Sequence, residues 1–133
     1  MKYYAKVISL SDNIEEEVLL SLGEKELCCF IDSAPYKLVE GCVYLIDLNL
    51  SFVDDESMVE SEDKKISIKR IDDGFSYEIV GFVSGNKLIT DGVIFDDELL
   101  LDYVYLDSNY VKVMPDRIGV SFYRWLKIAE SVP

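Results

Sequence analysis

The chain has 133 residues, half of them apolar or aromatic, with 26 Asp and Glu against 13 Lys and Arg and no histidine. A formal charge of −13 opposes binding to nucleic-acid backbones and anionic membranes, both of which select clustered Lys and Arg. Without imidazole, no Ser-His or Cys-His pair can form, and the commonest general base and metal ligand is missing.

Length and apolar content fit one folded domain spanning residues 1–133. Residues 2–10 alternate and are rich in aromatic and β-branched side chains, so they read as a strand. They lack the continuous apolar centre of a signal peptide, and no segment reaches the ~20 apolar residues of a membrane-spanning helix. A cytoplasmic location is therefore expected. Glu17 to Ser21 and Lys25 to Ile31 flank Leu22-Gly23-Glu24, where glycine can take the positive φ of a tight hairpin. Cys28, Cys29 and Cys42 are too few and wrongly spaced for a zinc site, and read as small buried hydrophobes in a reducing compartment.

The clearest element runs from Gly41 to Val53. Its even positions are Cys42, Tyr44, Ile46, Leu48, Leu50 and Phe52, a wholly apolar face with the period of a strand. At this length the strand is expected to bend, as strands of small barrels do. Residues 54–63 then read as a solvated acidic loop. Strand signals resume at Ile66 to Ile71, with Asp73-Gly74 expected to form a type I′ turn. Phe75 to Val83 and Lys87 to Phe95 flank Gly85-Asn86, which suits type II′ and sets Val83 opposite Leu88 and Phe82 opposite Ile89.

Leu99-Leu100-Leu101 reads as one helical turn or a packed loop. Tyr103 to Leu106 and Tyr110 to Met114 are expected to form a hairpin around Asp107-Ser108-Asn109. Arg117 to Tyr123 alternates as a strand. Tyr123 to Glu130 reads as a short helix with Trp125, Ile128 and Ala129 on one face. Eight or so short strands without long helices imply an all-β fold, a small barrel or alternatively a β-sandwich, with a short C-terminal helical segment.

Pro35-Tyr36 with Gly41-Cys42-Val43-Tyr44, Gly81-Phe82 with Asp91-Gly92-Val93-Ile94-Phe95, and Asp116-Arg117-Ile118 together make the sequence resemble small OB-like β-barrels of uncharacterised bacterial proteins. The resemblance spans most of the chain. It implies a fold, with no activity attached.

Two surfaces are candidates for function. The acidic loop offers Asp54, Asp55, Glu56, Glu60, Glu62 and Asp63 to a basic protein. A calcium loop of EF-hand type starting at Asp54 would need Gly at its sixth position and Glu at its twelfth, where Val59 and Lys65 stand. Tyr103, Tyr105 and Tyr110 form a second candidate patch. Carboxylate neighbours abound in so acidic a chain and do not mark a catalytic pair. No catalytic residue, metal ligand or cofactor is assigned. The expected function is a non-catalytic acidic module that binds a basic protein, for example an inhibitor or immunity-type protein that neutralises a cationic toxin. The alternatives are a barrel holding a small molecule or divalent cation, as a carboxylate-dependent enzyme in one version, and a structural homo-oligomer.

Overall fold

The computed structural model describes residues 1–52 and 58–127, with the backbone alone at 124–127. The chain divides into two compact units, Met1–Leu48 with Gly119–Pro133, and Asn49–Ile118.

The first unit is built on a closed five-stranded barrel of β1 (Lys2–Leu10), β2 (Glu17–Leu22), β3 (Lys25–Ser33), β4 (Val43–Ser51) and β11 (Arg117–Lys127), the strands between being numbered below. The spatial order is β1-β2-β3-β11-β4, closed by antiparallel pairing of β4 with β1. Gly23, at φ +66°, makes the β2–β3 turn, so that Leu20 pairs with Leu27 and Val18 with Cys29. The turn glycine thereby sets which side chains enter the barrel. Across the closure Ala5 faces Tyr44, both fully buried. Fitting a ring opposite a methyl is how a narrow barrel fills its taper. The Tyr44 ring meets Phe122 edge-on at 5.6 Å and stacks on Tyr36 at 5.5 Å, and its hydroxyl accepts the Val39 N–H at 2.9 Å. One buried tyrosine thus ties the barrel interior to the loop after β3. All three cysteines are buried and free of disulfides.

β11 runs parallel to β3, with Gly119 opposite Phe30 and Val120 opposite Ile31. It also corrects the expectation of a C-terminal helix, because Tyr123 to Lys127 continue the strand. So short a helical pattern has no autonomous stability, and the strand that enters the barrel wall next to β3 and β4 runs on through it. Ile128 to Glu130 lie outside the described residues.

In sequence, the second unit falls between the fourth and fifth barrel strands. It holds a six-stranded sheet: β5 (Met58–Glu60), β6 (Ser67–Arg70), β7 (Tyr77–Ser84), β8 (Lys87–Ile89), β9 (Ile94–Asp96) and β10 (Tyr110–Val113). The order is β5-β10-β7-β8-β9, with β6 also on β7. These strand signals therefore belong to a separate sheet and not to the barrel wall. β7 is the hub, buried at Ile79, Val80 and Val83. One of its edges is shared, since β6 pairs with Tyr77–Val80 and β8 with Phe82–Ser84. At the junction, the buried Thr90 hydroxyl donates to Val80 O at 2.7 Å and lies 3.2 Å from Ser67 O. Gly85 carries φ +62°, and the expected pairing of Phe82 with Ile89 and Val83 with Leu88 is present.

Four local expectations change. Asp73-Gly74 is no type I′ turn: Gly74 has no positive φ, and the Asp72 carboxylate holds the loop by accepting its N–H at 2.7 Å. The run Lys87 to Phe95 breaks into β8 and β9 around Gly92 (φ +74°), where Thr90 N–H reaches Val93 O at 3.0 Å. Tyr103 to Leu106 is not a hairpin strand, since Val104–Leu106 is a 3₁₀ turn. Part of the acidic segment 54–63 is no loop either, because Met58–Glu60 pairs with β10. At Tyr103 to Leu106 a short pattern of alternation yields to local turn formation, and at Met58–Glu60 pairing with β10 outweighs a composition that reads as solvated.

Candidate functional site

In the second unit, the connection from β9 to β10 is built from two successive 3₁₀ turns, Glu98–Asp102 and Val104–Leu106. Asp97 starts the first by accepting Leu99 N–H on its carboxylate at 2.9 Å. Leu100 and Leu106 are buried and anchor the segment. Its far end is held by Ser108 N–H donating to Val83 O at 2.8 Å, and by Asp107 accepting Gly85 N–H at 2.9 Å. With both ends fixed, the intervening apolar side chains turn outward: Leu101 is 54% exposed, Val104 77% and Tyr105 68%. Isolated exposed hydrophobes need no explanation, but three within five residues form a patch. Glu98, Asp102 and Asp107, all exposed, interleave with them.

The Tyr103 and Tyr105 rings meet at 6.1 Å, so the structure brings these two predicted residues together. Tyr110 is placed otherwise, its ring meeting Phe82 at 5.3 Å as a cross-strand pair. Of the predicted acidic residues, Glu60 lies on β5, and Glu62 and Asp63 follow it, all exposed. Asp63 also serves its own turn, accepting Lys65 N–H at 2.9 Å. Asp54, Asp55 and Glu56 lie outside the described residues.

The first unit carries a groove that sequence reasoning missed. An open groove of about 570 Å³ lies between the end of β1, the β1–β2 connection, the end of β3 and the loop after it. Leu10, Ile31, Leu38 and Tyr36 supply apolar and aromatic lining, and Glu15, Glu16 and Asp32 supply carboxylates, with Lys37 the one lining cation. Glu16 O accepts Ile31 N–H at 2.7 Å, which sets Glu15-Glu16 alongside Ile31-Asp32. The signal was present in the hairpin: once Leu22 pairs with Lys25, the same register carries Glu16 to Ile31.

Among the described residues, no three Cys, Asp or Glu side chains converge to hold a metal ion. Burial, with smaller contributions from Cys28 and Asp32, pushes the Cys29 thiol well above its ordinary range. A thiol held protonated in this way is a poor nucleophile.

The chain belongs to the family described as Uncharacterised conserved protein UCP019853, whose model matches residues 1–123. No curated protein and no solved structure matches it. No helix among the described residues is long and apolar enough to cross a membrane.

Proposed function

We propose that this protein is a non-catalytic binding module of OB-like type that presents acidic, partly apolar surface to a basic protein. The OB-like reading is supported by the closed order β1-β2-β3-β11-β4 with its parallel β3–β11 pair. A bacterial cytoplasm suits three buried thiols without a disulfide.

The observation that carries the functional reading is the outward patch of Leu101, Val104 and Tyr105 set among Glu98, Asp102 and Asp107. Apolar area supplies contact energy at ~25 cal/mol per Å², while the acidic rim steers a cationic partner and rejects anionic ones. An inhibitor or immunity-type protein that occludes a cationic toxin is the concrete form this takes.

The test is capture of partners from the native cell on immobilised protein at about 50 mM and about 500 mM salt, across which exposed charges become screened. Captured proteins should be basic, should elute at the higher salt, and should be lost from the Leu101→Ser/Val104→Ser/Tyr105→Ser variant. Capture indifferent both to salt and to these substitutions overturns the reading.

A further inference from the structure

We infer that the groove of the first unit is a binding site for a Lys- or Arg-bearing segment of a basic protein. This deepens the module reading above and rests on it.

The groove joins apolar lining with a net negative charge. Its lining includes Ile31, Leu38 and Tyr36, which offer apolar and aromatic surface, while Glu15, Glu16 and Asp32 place three carboxylates beside them against the single charge of Lys37. A phosphate or sugar-phosphate ligand would meet a net negative site. A purely apolar ligand would leave the carboxylates without benefit. A lysine or arginine matches both parts, since its methylene stem lies along apolar surface and its head seeks carboxylate. The volume, about 570 Å³ and open to solvent, lies within the range of sites for drug-sized ligands. It is larger than one such side chain needs, and so fits a short run of chain.

The walls are held before any ligand arrives. Tyr36 donates its hydroxyl to Tyr123 O at 2.6 Å and stacks on the buried Tyr44. On the opposite wall, Glu17 N–H reaches Ile14 O at 3.1 Å, and Ser11 Oγ accepts Ile14 N–H at 3.0 Å. A connection pinned at both ends loses little freedom on binding, which favours affinity. The fixed Tyr36 ring also offers aromatic surface to an ammonium or guanidinium group.

Fluorescence anisotropy of the purified protein with a labelled short peptide of alternating Arg and Leu tests the site. The same peptide with Glu in place of Arg, and unlabelled spermidine as competitor, are the comparison probes. Removing three exposed charges by Glu15→Gln/Glu16→Gln/Asp32→Asn should weaken binding about tenfold. Lys37→Glu, which disturbs no packing in a side chain that is exposed, should strengthen it. Glu24→Gln/Glu26→Gln, at exposed positions of the β2–β3 hairpin outside the groove lining, should leave it unchanged. Equal binding by wild type and the groove variant overturns the proposal, as does a lack of response to Lys37→Glu. Spermidine binding as tightly as the peptide also overturns it, by making this a small-cation site. If the peptide ignores the groove while capture through Leu101, Val104 and Tyr105 persists, the groove inference falls and the module reading stands; peptide binding without such capture gives the reverse.

Discussion

Gly81 stands at the one point of β7 where its edge passes from β6 to β8. A methyl group there would lie 2.8 Å from Ile89 O and 2.8 Å from Leu88 Cδ1, distances that no relaxed contact allows. Leu88 is fully buried, and the Ile89 carbonyl belongs to the strand pair itself, so neither can withdraw without loosening β8. Gly81→Ala should therefore lower stability by about 1–3 kcal/mol, the usual cost of overpacking a dense interior. In urea unfolding the midpoint should fall with the slope unchanged. An unaltered midpoint would show that β8 does not approach so closely. The neighbouring Thr90 explains why the approach is made. Its hydroxyl donates to Val80 O with Ser67 O close by, filling the gap between the strands that share this edge. Neither role was legible in the sequence, where Gly81 reads as a strand position and Thr90 as part of one continuous strand. Strand alternation identifies a face, but the division of one edge between two partners depends on residues far along the chain.

Among elements, β5 is the most informative, because acidic sequence concealed it. Ser61 N–H donates to Tyr110 O at 2.8 Å, and Val59 faces Lys112 in the same register. Hydrogen-bonded pairs alternate along an antiparallel ladder, so Val59 directs its N–H to β10, while Glu60 directs its own away. Val59→Pro should then cost on the order of 2 kcal/mol by removing a ladder bond, and Glu60→Pro clearly less, since an edge strand tolerates proline on its outward side. Equal losses in thermal melts of the two variants would refute the register. Much else at this scale could be read directly. The apolar face of β4, the hairpins turning on Gly23 and Gly85, and the pairs Phe82–Ile89 and Val83–Leu88 all follow from alternation and turn chemistry, which are local. The segment Tyr123 to Lys127 and the 3₁₀ turn at Val104–Leu106 did not, because each is decided by what flanks or caps it. The groove lies between these cases. Its carboxylates were visible as letters, and only the β2–β3 register, continued past Glu17, sets Glu15 and Glu16 alongside Ile31 and Asp32.

For the whole molecule, charge is the property most openly written in the sequence, and the fold shows how unevenly it is carried. The unit Asn49–Ile118 holds 16 acidic and 7 basic side chains, net −9 of the total −13. So many like charges within one small folded unit repel one another and work against the compact state. Raising salt from about 10 mM to about 150 mM shortens the screening length from ~30 Å to ~8 Å, comparable with the spacing of neighbouring surface groups. Stability should therefore rise with sodium chloride, by about 1 kcal/mol or ~3–6 °C in Tm over that interval. A chain held together by its surface ion pairs would respond in the opposite sense, so a Tm that falls on adding salt would reverse the sign of this account. The same screening should weaken capture of a basic partner. Salt would then stabilise the free protein while loosening its complex, and a cationic partner would supply locally the neutralisation that salt supplies in bulk. It follows that the stabilisation conferred by a basic ligand should be largest at low salt and shrink as salt is added. The labelled Arg-Leu peptide can report this as the difference between bound and free Tm along the same salt series; a difference that does not vary with salt would mean that apolar contact, not charge, drives the association.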